Sequence, residues 1–264
     1  MNILTMAYKT IQVGQFEYRF RWSLFILLII LLSLGIFLGL WQMERAAEKK
    51  SIENMREQQA EQSQISLRAS DRDTALMLYR DVEINGAFVA EKQFLLDNQK
   101  YKSRPGYHVF TPMRISSSRT HVLVARGWIK QGDDRRFIPS LPLSAGETTI
   151  QGRVEKVPGI GFKAGLPGES GRLWPKRLIY IELDWIAKET GLSFLPYVVY
   201  QTNDEDNGLV RDWQHKFQAK KRMTPEKHMG YALQWFSLAI LVMVMYFILS
   251  FKKSGREASS GERS

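Results

Sequence analysis

Two stretches of the chain lack any alternation of hydrophobic and polar positions. Residues 22–40 (WSLFILLIILLSLGIFLGL) and 231–251 (YALQWFSLAILVMVMYFILSF) carry no formal charge and present apolar side chains on every helical face. At 1.5 Å per residue the first covers about 28 Å, close to the ~30 Å hydrocarbon core of a bilayer. A buried core helix is usually shorter, and its surroundings rarely leave every face apolar. Both runs therefore predict membrane spans. The first is too long for the apolar core of a cleaved signal peptide, and WQMER follows it where small residues would mark a cleavage site. It reads as an uncleaved anchor.

Between the spans the pattern changes twice. MERAAEKKSIENMREQQAEQSQ has no Gly or Pro and predicts that the first helix continues until a break near residues 63–73. Short β-branched and aromatic runs follow: YRDVEINGAFV, QFLLDN, YHVFTPMRI, THVLVARGWI, TTIQGRVEKV, LIYIEL and YVVYQT. Residues 184–191 read as a short helix with Asp184 as N-cap and Gly191 as C-cap. Residues 162–176, rich in Gly and Pro, read as a long loop. The fold class expected is an α+β membrane protein, with two transmembrane helices flanking an antiparallel β-rich domain that can curl into a barrel. The partition is an N-terminal segment (1–21), a first span (22–41), a helical extension and linker (42–72), a β-rich domain (73–222), a second span with its entry turn (223–251) and a disordered tail (252–264).

Composition narrows the chemistry. The 264 residues contain no cysteine, which removes disulfides, thiolate metal sites and Cys nucleophiles. The net charge of +10 could suit nucleic acid, but no nucleic-acid-reading motif is present and anionic lipid is the nearer partner. Basic residues flank both sides of both spans, so the charge count leans only modestly towards termini inside and loop outside. No G-x-S-x-G, H-E-x-x-H or spaced nucleophile and base occurs. His108 and His121 fall at opposite ends of one predicted hairpin, His215 lies in a polar stretch, and nothing reads as an enzyme.

The ends of the loop offer the best candidate site. Thr224-Pro225 is a helix start, and at 100° per residue His228, Tyr231, Gln234 and Trp235 fall within an arc of roughly 120°. On the first span Gly35, Gly39 and Gln42 share a face, and the G-x-x-x-G step permits close helix approach. His, Tyr and two Gln are thus expected to converge at one headgroup boundary. Near a helix N-terminus the dipole favours neutral imidazole, the form that binds a metal. His228 is then either a ligand or an interfacial bystander, and the aromatics and glutamines can equally be belt residues and interhelix hydrogen-bond formers. Arg45 shares the face of Gln42 and could meet a ligand carboxylate. Lys216, Lys220, Lys221, Arg222 and Lys227 should mostly meet headgroups.

These residues resemble a known family. LGLWQMER (38–45) is similar to the LG-x-WQ-x-x-R signature of the surfeit locus family, assembly factors for cytochrome c oxidase. Tyr79-Arg80 with Gly86 and Phe88, the segment RPGYHV (104–109), VARGWI (124–129), and His228-x-x-Tyr231-x-x-Gln234-Trp235-Phe236 match its motifs in order. The resemblance implies cytoplasmic termini, a periplasmic loop domain, and a role in maturing the haem-bearing subunit of a haem–copper oxidase, with haem a synthase as a further partner. It also implies transient haem a binding, with His228 on the iron. The absence of a transit-peptide pattern points to a bacterial plasma membrane. Two plainer readings stand beside it: a cofactor-free scaffold for an oxidase intermediate, and a membrane-anchored periplasmic enzyme or sensor. Residues 133–146 are less typical of the family.

Overall fold

The structure is a computed structural model that describes residues 9–13, 16–132, 134, 139, 141, 143, 146–159, 165–168, 173–203, 208–213 and 223–253. The chain divides into two compact units, one formed by residues up to Ser51 with those from Met223 onward, the other by Ile52–Arg222.

The first unit contains the two apolar helices. Helix α1 (Trp22–Ala60) runs unbroken through the charged extension, as its lack of Gly and Pro after Gly39 predicts. Both it and the second long helix, named below, are long and apolar enough to cross a membrane. A feature the hydrophobic pattern did not announce lies at the chain ends. Strands β1 (Lys9–Val13) and β2 (Phe16–Phe20) form a hairpin, and the C-terminal strand Phe251–Lys253 pairs antiparallel with β2. Lys252 and Lys253, expected in the tail, are therefore strand residues; 254–264 lie outside the described residues.

The second unit is a strand-rich barrel. After β3 (Ile65–Ser66) and the one-turn helix α2 (Thr74–Met77) come β4 (Asp81–Phe88), β5 (Phe94–Tyr101), β6 (Arg104–Ile115), β7 (Thr120–Lys130), β8 (Glu147–Glu155), β9 (Lys176–Leu178), helix α3 (Leu183–Thr190) and β10 (Ser193–Gln201). Strands β4, β8, β10, β7 and β6 pair in that order, and β4 returns to β6 to close a five-stranded ring. Antiparallel directions alternate, and an odd ring cannot alternate all the way round. One pair must be parallel, and it is β7 with β10.

Period-2 burial explains the ring. Val82 and Ile84 of β4, Ile150 and Val154 of β8, Val122 and Val124 of β7, and Leu195, Tyr197 and Val199 of β10 fill its interior. Strands β7 and β10 are apolar on both faces because their alternate residues, Leu123, Ala125, Val198 and Tyr200, join Phe94, Phe110, Ile181 and Ile186 in a second core under α3 and β5. The expected strand 178–183 is mostly not one. It leaves β9 after Leu178, with Ile179 70% exposed and its amide bonded to the carbonyl of Pro167. The alternation in LIYI is satisfied by Leu178 and Ile181 anchoring an extended loop. Helix α3 ends as expected on left-handed Gly191 (φ 71°), but its N-cap is Glu182, without a side-chain cap bond, rather than Asp184.

Candidate functional site

The second long helix, α4 (Pro225–Ser250), starts where the sequence signals it. Thr224 Oγ1 accepts a hydrogen bond from the Lys227 amide at 3.4 Å, and Pro225 opens the helix. That start sets His228 in the first turn. On α1 the two glycines set how near the helices come. A Cβ on Gly39 would lie 2.5 Å from Cε1 of Phe236, and one on Gly35 would lie 3.1 Å from Cβ of Ala239 and 3.3 Å from the Trp235 carbonyl oxygen. A side chain at Gly39 would displace the Phe236 ring, and one at Gly35 would press on α4. The helices therefore run antiparallel in close contact, and the next buried position on the same face of α1 is Gln42.

Gln42 and His228 meet. Gln42 Oε1 lies 2.6 Å from His228 Nδ1, with the residues 9% and 7% exposed. An amide oxygen is an acceptor, so Nδ1 is the donor in this pair. Nε2 is buried and has no hydrogen-bond partner among the described residues. A ring whose Nδ1–H is fixed by a second side chain and whose Nε2 is unengaged is the arrangement that metal-ligating histidines use. No group of three or more His, Asp or Glu fit to hold a metal occurs among the described residues. The donor that this site presents is a single imidazole nitrogen, Nε2 of His228.

The other candidate residues are placed differently. Trp235 is half-buried beside Gly35. Tyr231 is 44% exposed, and Gln234 is also exposed, so the expected convergence of four polar side chains reduces to the pair Gln42–His228. An arc of 120° is wider than the strip α1 covers, which explains the difference. Arg45 turns along its own helix: Nη1 lies 2.7 Å from Glu48 Oε2, and the guanidinium sits 5.8 Å from the Trp41 ring centre. His215, Lys216, Lys220, Lys221 and Arg222 lie outside the described residues. Towards the far end of the helix pair, Leu24, Leu28, Leu31, Leu241, Met245 and Tyr246 line an apolar cavity of about 260 Å³.

In the barrel unit, His108 and His121 do lie at opposite ends of the β6–β7 hairpin, opposite Trp128 and Arg114 respectively. Burial holds the His121 imidazole below its ordinary pKa. The VARGWI segment is architectural. Arg126 is 1% exposed; its Nη1 donates to Gln93 Oε1 at 3.0 Å, and its guanidinium lies 5.6 Å from the centre of the Phe88 ring. A Cβ on Gly127 would meet Leu209 Cβ at 2.6 Å, and Trp128 Nε1 donates to the Gln99 carbonyl at 2.9 Å. A lone arginine inside an unbroken apolar strand was the available signal for this buried polar knot.

The same motifs recur in a described family. Residues 29–240, from within α1 to within α4, match the model of the SURF1 family. The chain belongs to the SURF1 family. It is 25% identical over 233 residues to a SURF1-like protein of Rickettsia conorii (strain ATCC VR-613 / Malish 7), covering 84% of this chain and 89% of that one. A SURF1-like protein of Rickettsia felis (strain ATCC VR-1525 / URRWXCal2) is 25% identical over 229 residues, with 84% and 95% covered. One from Drosophila melanogaster is 24% identical over 242 residues, with 84% and 75% covered. The match to the SURF1 model thus runs from the first apolar helix through the barrel into the second.

Proposed function

We propose that this SURF1-family chain is a two-span assembly factor for cytochrome c oxidase in a bacterial plasma membrane, with cytoplasmic termini and a periplasmic barrel. In this proposal it assists haem a delivery to the haem-bearing subunit, and haem a synthase is the natural upstream partner. The observation that carries the ligand assignment is the Gln42–His228 pair, which leaves Nε2 buried and unengaged. His228 would hold the iron of a bound haem through Nε2. Gln42 would hold the tautomer and ring orientation, and the surrounding apolar helix faces would exclude water. Arg45, committed to Glu48 and Trp41, has no role in this scheme unless it changes partner. The barrel is the candidate surface for the oxidase subunit.

The test is to co-express the full chain with haem a synthesis enzymes, purify it in detergent and record the reduced-minus-oxidised spectrum. Wild type should carry haem and His228→Ala should lose it. Haem-free wild type, or equal occupancy in His228→Ala, would sink the ligand assignment. The outward placement of Tyr231 and Gln234 favours a second reading, a cofactor-free scaffold. On that reading His228→Ala leaves oxidase activity intact in a complemented deletion strain.

A further inference from the structure

Past the Gly35–Ala239 contact the two long helices part, and the space between them has a definite size, depth and end. Counting equal rises from that contact puts Leu28 level with Tyr246, and both are buried. Leucine and a phenol stand where glycine and alanine allowed close approach, so the backbones are held further apart. The apolar cavity of about 260 Å³ lies at this level, with Leu28 and Tyr246 in its wall. Its outer rim, Leu241 and Leu249, is half exposed, so the cavity opens sideways. Along α1 it runs from Leu24 to Leu31, about 10 Å. One leaflet of a ~30 Å hydrocarbon core is about 15 Å deep.

The end of the cavity nearest the chain termini is polar, and it holds more hydrogen-bonding capacity than the chain uses. Tyr246 lines the cavity, is 7% exposed, and sets its Oη 2.9 Å from the Oη of Tyr18 on β2. A bond between two phenols uses one of their two hydroxyl hydrogens. The other makes no hydrogen bond among the described residues. One turn further along α4, Ser250 is 1% exposed, and its Oγ has no hydrogen-bond partner among the described residues. Around this end the rings of Phe20, Trp22 and Phe25 pack on one another, and Phe25 packs on Tyr246. Tyrosine and tryptophan gathered at the end of an apolar helix mark a membrane boundary.

We propose that this cavity holds one acyl chain of a glycerophospholipid from the leaflet on the side of the chain ends, with an ester carbonyl of that lipid accepting the spare phenol hydrogen of the Tyr18–Tyr246 pair. The inference rests on α1 and α4 crossing a bilayer. At this level hydrocarbon is then the medium that meets the opening. An apolar cavity of roughly 150 Å³ already stays dry and takes benzene, so one of this volume takes a longer, flexible chain. Left empty, its walls would forfeit their dispersion contacts. Hydrocarbon alone would leave the phenol hydrogen without an acceptor, whereas an ester oxygen at the head of the chain supplies one. That separates a glycerolipid from a purely apolar filler. Held there, the acyl chain completes the packing of two helices that otherwise touch along a narrow strip.

The test is to purify the full chain in detergent, strip it of lipid, titrate it with palmitoyl-oleoyl phosphatidylethanolamine and read the complexes by native mass spectrometry. One lipid per chain should bind ahead of all others and saturate. Val242→Trp fills the cavity from α4 and should lower that first binding at least several-fold. Val244→Trp, on the exposed side of the same helix, should leave it unchanged. The double variant Tyr18→Phe/Tyr246→Phe keeps both rings, removes both hydroxyls and should weaken the first binding roughly 2- to 10-fold; it decides the matter if Val242→Trp does not fold. Binding with no step at one lipid per chain, equal binding by the two tryptophan variants, unchanged binding by the double variant, or preference for the isoprenoid alcohol phytol over the phospholipid would overturn the proposal. Release of the chain from membranes by alkaline carbonate would instead overturn the membrane reading on which it rests.

Discussion

Closure of the barrel hangs on a single missing side chain, at Gly86. The β4–β6 pair completes the ring through Gly86↔Ile115, Ala87↔Arg114 and Phe88↔Met113. A Cβ on Gly86 would sit 2.0 Å from the Arg114 carbonyl oxygen, more than 1 Å inside ordinary contact, and both atoms belong to backbone that the sheet holds. Gly86→Ala must therefore push β4 off β6. Overpacking alone costs about 1–3 kcal/mol, and each ladder hydrogen bond lost adds roughly 1 kcal/mol. The expected loss is about 2–5 kcal/mol, a large share of the roughly 5–15 kcal/mol that holds a domain folded. Urea titration of the detergent-solubilised chain, followed by tryptophan fluorescence, reads it, since Trp128, Trp174, Trp185 and Trp213 all belong to the barrel unit. Gly159→Ala is the control: nothing among the described residues lies within 4 Å of its Cβ, so its midpoint should stay within about 0.5 kcal/mol of wild type. A Gly86→Ala midpoint equal to that of the control would refute the account of ring closure.

Gln42→Leu strands the His228 Nδ1–H in a buried position and should destabilise the helix pair by about 1–3 kcal/mol, seen as a lowered melting temperature in detergent. An unchanged melt would mean that Nδ1 has found another acceptor. Thr224→Ala removes the α4 cap and should cost about 0.5–2 kcal/mol in the same assay. His121 supplies the pH dependence. Its folded pKa lies below the ordinary 6.5, chiefly through burial, so the unfolded chain binds the proton more readily and stability falls as pH drops below 6.5. Urea midpoints measured above and below that value should show the slope in wild type and a shallower one in His121→Gln.

The spans, the α1 extension, the entry cap at Thr224 and most of the strands were legible because each follows from a local property, uncharged length, helix propensity, capping chemistry or period-2 alternation. That the sheet can curl into a barrel was legible too, but the pair that closes it was not, since it depends on Gly86 lying under a carbonyl some thirty residues away in sequence. The terminal sheet was hidden for a similar reason: β2 gains its partner Phe251–Lys253 only after the two helices return the chain ends to one place. At the candidate site, helical phase found Gln42 and His228 because Gly35 and Gly39 marked the contact strip. It could not tell that the strip is too narrow to include Tyr231 and Gln234. The motif match gave Arg126 no place in the fold, whereas it is buried beside Gln93 and Phe88, a placement fixed by residues far from it in sequence.

The odd ring has a bearing on how the chain is made. Strand β10 lies between β8 and β7, yet it is the last barrel strand to leave the ribosome, ending at Gln201, shortly before α4 begins at Pro225. Until then the nascent sheet is a fence with one stave missing, and β7 and β8 present open edges that invite pairing with other chains. Chains truncated before residue 193 should accumulate as aggregates or be degraded rather than persist as smaller barrels. In a cell, the barrel and the second apolar helix are completed almost together, so ring closure and insertion of that helix fall within the same late interval of synthesis.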